Sequence, residues 1–332
     1  MRDPNRASVY KRCMRRPHKA LIEVEWTPDL VGALADASAA IGALDARVSN
    51  SLLTVVWQNR VKLTGYAAAL RLQHEPLEEV DVFSHFCSLR LPGRAIAETN
   101  SEPYAEFAEW EAMLRDGEGR HWREALPFTF ELPSCWEDAP KLVRALTVLE
   151  AWVRADPTKL AWLQGPLLLH QFGVTDAILP NMVVGDAAMR SDGAGGDVML
   201  RSLLRKLRDA AEIGLARFGA MEEALVRFAG VLAEEKRPGR LQDLGMLLLV
   251  EPLLTPREVA DRLGLTLSGA GKLLQRAAAQ DIVCEISGRG TWRAYATRDI
   301  ALALNLVEPR RGRPRKFPPP REDLRKLVDA LP

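Results

Sequence analysis

The sequence predicts a mainly α-helical fold, and three observations carry that expectation. Apolar residues recur at three- and four-residue spacing over most of the chain, and proline or small polar residues stand where helices would begin. Clear β-prone runs gather only around residues 282–295. Within this class we read a helical N-terminal domain, a smaller C-terminal module of helices with one β-hairpin, and an extended basic tail. The chain has 332 residues, of which 47% are hydrophobic and 27% charged, a globular composition with enough length for two cores. Its longer apolar runs, 65–70 and 245–250, end at Arg71 and Glu251, far short of the roughly eighteen residues that a membrane span needs.

Residues 1–19 form a basic arm, with Arg2, Arg6, Lys11, Arg12, Arg15, Arg16 and Lys19 against Asp3 alone. No apolar block follows, so the arm does not read as a secretory signal and a cytoplasmic location is expected. A helical domain is predicted over 20–196. Thr27-Pro28 is a helix start, Thr as N-cap and Pro in the first turn, and Leu30, Leu34, Ala37, Ile41 and Leu44 keep helical spacing after it. Leu53, Val56, Leu63, Ala67 and Leu70 define the face of a second helix over 52–72. The stretch 78–98 is less regular and reads as loops or short strands. Helices are predicted over 102–115 and 138–155, each with a proline, Pro103 or Pro140, in its first turn. Interruptions at Gly165-Pro166, Gly173 and Pro180 divide 159–184 into two short helices, and 191–196, made only of small residues, is the clearest break. A long amphipathic helix then occupies most of 197–239, running from Leu200 through Leu207, Phe218 and Leu225 to Leu232 until Arg237-Pro238-Gly239 ends it. Packing on the preceding domain is its plain reading; a homodimer helix is the sharper one.

The best-defined pattern lies at 240–300. An apolar helix over 242–250 is followed by Thr255-Pro256, which opens a second helix with Glu258 in its first turn. That helix stops at Gly264, and Gly264-Leu265-Thr266 is the short turn that lets two helices cross steeply. Thr266 caps a third helix reaching Ala279. Two β-prone runs, 282–286 and 291–295, flank the turn 287–290 and make a hairpin. Three helices and a hairpin in this order are the layout of a winged helix-turn-helix. The N-terminal turns of the third helix would enter the major groove, where Ser268, Lys272, Gln275 and Arg276 have side chains able to bond a base edge or phosphate. Arg289 at the hairpin tip and Arg293 on its second strand would contact phosphates. A structural or protein-contacting winged helix is the alternative.

The tail, 301–332, contains Arg310, Arg311, Gly312, Arg313, Pro314, Arg315 and Lys316 with no acidic residue among them. Proline holds such a segment extended, glycine lets the backbone sit deep in a narrow minor groove, and Arg311 and Arg313 would lie where A·T tracts concentrate negative potential. These residues resemble an AT-hook, although Arg310 stands where a proline normally precedes the first arginine. The formal net charge of the whole chain is only +1, so a polyanionic partner would be met by its ends rather than its body.

The runs 254–265 and 286–295 resemble the C-terminal winged helix of many Fic-family proteins, in which a long helical segment also precedes that module. The Fic loop pairs a catalytic histidine with an acidic residue and a Gly-Asn-Gly-Arg stretch; after His170 this chain reads Gln-Phe-Gly-Val-Thr-Asp-Ala-Ile-Leu-Pro-Asn, so no catalytic residue carries over. The whole layout, through 40–94 and the C-terminal module, is similar to bacterial, often plasmid-borne helix-turn-helix proteins of unknown function. Other chemistry finds no constellation. His18, His74, His85, His121 and His170 are scattered, and the string has neither a Gly-Lys-Ser/Thr loop nor a nucleophile elbow. His85 beside Cys87 reads as core, Glu109, Glu111 and His121 as a solvated face, and Trp110, Trp122, Trp136, Trp152 and Trp162 as core. Cys13, Cys87, Cys135 and Cys284 are too far apart for a zinc site or a disulfide framework. No cofactor and no metal are expected. The resulting expectation is a DNA-binding protein without enzymatic activity, a transcriptional regulator or plasmid-associated factor whose partner is double-stranded, preferably A·T-rich DNA. The rivals are a divergent Fic-like nucleotidyl transferase and a partner-binding adaptor.

Overall fold

The computed structural model describes residues 21–89, 91, 94, 102–116, 121–190, 196–288 and 293–308. The basic arm, the break at 191–195, Arg289 with the hairpin tip, and the basic run from 309 onward lie outside the described residues. The chain is mainly α-helical. In order, its helices are α1 (Pro28–Ser49), α2 (Thr54–Leu72), α3 (Glu79–Phe86), α4 (Phe107–Asp116), α5 (Trp122–Ala125), α6 (Lys141–Ala155), α7 (Lys159–Leu163), α8 (Gly165–Gln171), α9 (Gly196–Glu234), α10 (Leu241–Val250), α11 (Pro256–Leu263), α12 (Leu267–Ala279) and α13 (Arg298–Ala303). The strands are β1 (Leu253–Leu254), β2 (Val283–Glu285) and β3 (Tyr295–Thr297). Among the described residues no helix is long and apolar enough to cross a membrane.

Two compact units divide the chain, and neither is one continuous segment. The first comprises Met1–Ser49, Thr64–Pro76 and Thr99–Gly214; the second comprises Asn50–Leu63, Leu77–Glu98 and Leu215–Pro332. These bounds differ from those expected at 196 and 239, because a composition break marks a linker but not which segments pack together.

In the first unit α6 is the central element. Leu142, Val143, Leu146, Val148, Leu149, Trp152 and Val153 are buried, covering most of its circumference, as expected of a helix enclosed on several sides. The buried Glu150 on the same helix is bonded by Arg154 one turn on, at 3.1 Å. Tyr66 packs edge-on to Phe107 at 5.1 Å and donates its hydroxyl to the Pro103 carbonyl at 2.9 Å. Trp110 donates to the Leu163 carbonyl at 3.0 Å. Gly65 is required here: a Cβ would lie 2.0 Å from the Pro180 carbonyl oxygen. Asp45, also buried, accepts from the amides of Asp176 and Ala177 at 2.8 and 2.9 Å, so its carboxylate is matched by backbone donors.

Three local expectations change. Residues 79–86 form a helix rather than loops or strands, with a capping box in which Glu78 and Asp81 bond each other's backbone amides. Val80, Val82 and Phe83 are all buried, and adjacent buried positions 82 and 83 do not fit strand alternation while 80 and 83 are one helical turn apart. Pro103 falls in a turn ahead of α4, and Pro140 is the N-cap of α6, so neither proline occupies a first helical turn.

In the second unit Trp57 and Phe218 meet edge to face at 5.9 Å. Gly245 lets α10 approach α9, since a Cβ there would stand 1.8 Å from the Phe228 ring. The sheet is three-stranded and antiparallel in the order β1-β3-β2, with Leu254 opposite Tyr295 on one side and Glu285 opposite Tyr295 on the other. Among the described residues the strand β3 covers 295–297, where Tyr295, Ala296 and Thr297 are buried, and 291–292 of the run expected as a strand lie outside the described residues. The helix α13 crosses position 300 with Ile300 and Ala301 buried, so folded structure continues past the boundary expected there.

Candidate functional site

The elements that could present a surface to a partner are α11, its turn and α12. Thr255 opens α11 as a complete capping box: its amide and hydroxyl donate to Glu258 Oε2 at 2.6 and 2.9 Å, while the Glu258 amide returns to Thr255 Oγ1 at 3.3 Å. Pro256 takes the first helical position, where a missing N–H is harmless. Gly264 ends the helix in the left-handed conformation, φ 63° and ψ 39°, which a β-carbon would disfavour. Two residues later the Thr266 hydroxyl accepts from the Gly269 amide at 3.1 Å and starts α12.

The helix α12 is two-faced. Ala270, Leu273, Leu274 and Ala277 are buried, and Ser268, Lys272 and Gln275, one turn apart on the other face, are exposed. Leu267 at the first position is 62% exposed, an unusual exposure for a leucine at the leading edge of a helix. Arg276 is placed differently from its predicted neighbours. Its guanidinium pairs with Glu235 at 2.7 Å and donates to the Arg237 carbonyl at 3.1 Å, tying α12 to the end of α9. Arg240 likewise donates to the Leu263 carbonyl at the end of α11. Arg293 is half-buried, and its Nε is enclosed with no hydrogen-bond partner among the described residues. Arg289 and the residues from Arg310 to Lys316 lie outside the described residues.

The second unit also holds a polar cluster that the local sequence pattern does not reveal. Arg60 is 5% exposed and donates Nη1 to Asp299 Oδ2 at 2.6 Å, Nη2 to the Leu248 carbonyl at 2.8 Å and Nε to the Leu249 carbonyl at 3.1 Å. Those two carbonyls belong to the last turn of α10, which has no further helical amides to fill them, and a cation is favoured at that end of the helix dipole. Arg60 occupies the gap in the stripe Val56, Leu63, Ala67 and Leu70 of α2. A charged residue at a core position of a periodic face was the readable signal; its partners, more than a hundred residues away, were not.

Other chemistry-bearing residues lie apart from this cluster. Burial pushes the Cys87 thiol up to about 12, helped by the nearby Glu251 and Glu258, which keeps this thiol protonated at neutral pH. His170 has Nδ1 3.2 Å from the Thr175 carbonyl, a contact within its own turn. Among the described residues no three His, Cys, Asp or Glu side chains gather as a metal would require. Trp110, Trp122, Trp136, Trp152 and Trp162 are all buried.

No family model matches the chain. One curated relative, the uncharacterized protein y4cF of Sinorhizobium fredii (strain NBRC 101917 / NGR234), is 25% identical over 217 residues, which cover 62% of this chain and 53% of the relative. The chain thus spans about half the length of the curated relative it matches.

Proposed function

We propose that residues 241–308 are a winged helix-turn-helix that binds double-stranded DNA, and that the protein acts as a transcriptional regulator or plasmid-associated factor. The observation that supports this most is the α11–Gly264–α12 arrangement, which leaves the first two turns of α12 exposed while its other face is core. A helix presented by its N-terminal end suits insertion into a major groove. On it Lys272 would neutralise phosphate or read guanine, Gln275 would bond adenine and Ser268 either base, while Leu267 would meet a thymine methyl. Arg276, held by Glu235, would position α12 rather than reach the duplex. Arg293 would serve the wing, with Arg289 as its phosphate contact.

Electrostatics assigns a second part to the tail. Between 241 and 308 seven Arg and Lys stand against eight Asp and Glu, so the module has no net positive charge and its phosphate contacts would rest on single side chains. The run 309–316 adds five basic residues and no acid. Tethering a minor-groove anchor beside a weak major-groove reader raises the effective concentration of each for the other. Fluorescence anisotropy with the full chain tests the helix: Lys272→Ala should weaken binding to all duplexes and lower the salt slope by about 1. Unchanged affinity in Lys272→Ala and Gln275→Ala would remove α12 from the interface.

A further inference from the structure

The helix α12 carries a feature that its own packing does not explain. Gly271 stands inside this helix, where glycine is the least favourable residue after proline. Other helical glycines of the chain answer to a neighbour: a Cβ at Gly65, Gly214 or Gly245 would lie 2.0, 2.4 or 1.8 Å from the nearest atom. A Cβ at Gly269 would stand 3.1 Å from the Thr266 hydroxyl that caps α12. At Gly271 a Cβ would meet nothing within 4 Å, and its φ is not positive as that of Gly264 is. Neither packing nor backbone conformation therefore requires glycine there. Gly32, Gly42 and Gly219 are equally open, so openness alone makes no site. Gly271 differs in its neighbours on the helix surface. Leu267 precedes it by four residues and Gln275 follows by four, with Ser268 three residues back on the same face. Leu267 is 62% exposed, and Ser268 and Gln275 are exposed as well. The outer face of α12 thus has a gap one side chain wide, bounded on one side by an exposed leucine.

We propose that this gap seats the 5-methyl group of a thymine in the major groove, with Leu267 covering the methyl and the bare backbone of Gly271 letting the base edge approach. The inference rests on the DNA-binding reading above and deepens it by making Gly271 a specificity-determining position. Thymine is the base that fits. Its methyl is the only one that the four bases present in the major groove, where guanine, adenine and cytosine are told apart by donors and acceptors. Leucine and glycine side chains have no group to bond those. The exposure of Leu267 and the openness of Gly271 are separate observations, and both call for a small apolar complement. Lys272 and Gln275 would add the polar contacts. The tail takes no part in this selection, because the methyl lies in the groove opposite the one that Arg311 and Arg313 would occupy.

In the test, the full chain selects duplexes from a random-sequence pool, and each thymine of the recovered duplex is then replaced in turn by uracil, which removes the methyl and keeps every hydrogen-bonding group. At one position the wild type is expected to lose about fourfold in affinity, the worth of a methyl taken out of water. Gly271→Ala should weaken the thymine duplex by at least as much and leave the uracil duplex, which has room for the added methyl, as tightly bound as by the wild type. The same variant should raise the melting temperature, since alanine is the better helix former and has free space at this position. A merely structural glycine would not join a more stable fold to weaker, methyl-dependent binding. Leu267→Ala should narrow the thymine-to-uracil ratio, whereas Lys272→Ala should weaken both duplexes alike and preserve it. The proposal is overturned if the selected duplexes share no thymine, if no uracil substitution lowers affinity, or if Gly271→Ala keeps the wild-type affinity and ratio. Failure of the DNA reading itself looks different: the wild type would retain no duplex from the pool even at low salt, and this proposal would fall with it.

Discussion

Replacing Arg60 by methionine removes the cation that joins α2, α10 and α13 while preserving most of its length and apolar stem. The magnitude follows from what is left behind. Both side chains of the Arg60–Asp299 pair are 6% exposed, so Asp299 would keep its burial and lose the guanidinium now 2.6 Å away. The Leu248 and Leu249 carbonyls, bonded at 2.8 and 3.1 Å, would lose their donors as well. Breaking a buried pair from one side costs about 3–5 kcal/mol, because the remaining charge is uncompensated. The double variant Arg60→Met/Asp299→Leu removes both charges and leaves only the two carbonyls unmet, at about 1–3 kcal/mol each, so its loss should be smaller than that of Arg60→Met, which strands a carboxylate as well. The chain has two units, so urea unfolding should be followed together with hydrogen exchange of the α10 and α13 amides, which localises the loss. A loss below about 1 kcal/mol in Arg60→Met, or a double variant as unstable as the sum of the two singles, would refute the buried pair as the tie between these helices.

Other consequences are smaller. At Gly264, φ is +63° and a Cβ would meet nothing within 4 Å, so Gly264→Ala should lose about 1 kcal/mol through backbone strain alone, read as a lowered melting temperature. Cys87, its thiol pushed up to about 12, should resist iodoacetamide at pH 8 in the folded protein and react once urea unfolds it; rapid native alkylation would contradict its desolvation. The Lys206 ammonium, 2.8 Å from Asp186, is the main cause that holds this carboxyl below its ordinary 3.8, with the Ala188 amide next. A depressed carboxyl stabilises the fold fully above its unfolded value and loses that contribution as pH falls through the lower folded one. Asp186→Asn should therefore flatten the stability curve only below about pH 4, by less than about 1 kcal/mol because both partners are partly solvated. Equal acid sensitivity in variant and wild type would count against the pair.

What the sequence made legible was local. Thr255, Pro256, Glu258, Gly264 and Thr266 specify helix starts and a stop through chemistry that acts within four residues, and α11 and α12 begin and end where those residues put them. The long helix α9 and the paired short helices α7 and α8 followed from periodicity and from Gly165-Pro166. The helix α3 was missed because its eight residues contain two valines at strand spacing, and its cap is a glutamate rather than the usual short side chain. The strand β1 was missed because two residues have no period; Leu253 and Leu254 become a strand only when β3 arrives beside them. The division into units was not legible at all, since α2 and α9 each contribute residues to both. The candidate surface divides in the same way. Ser268, Lys272 and Gln275 were readable from the wheel of α12, whereas the engagement of Arg276 by Glu235 depends on where α9 ends in space.

DNA binding is the central proposal, and a salt series tests it most directly. Wild-type chain and the Arg313→Ala variant would be titrated with an A·T-rich and a G·C-rich duplex of equal length, between low and physiological salt. The account predicts tighter binding to the A·T-rich duplex, a steep fall with salt, and loss of the A·T preference in the variant, because Arg313 would occupy the narrow minor groove. Absence of binding to either duplex at low salt, or an affinity indifferent to both sequence and Arg313, would contradict it.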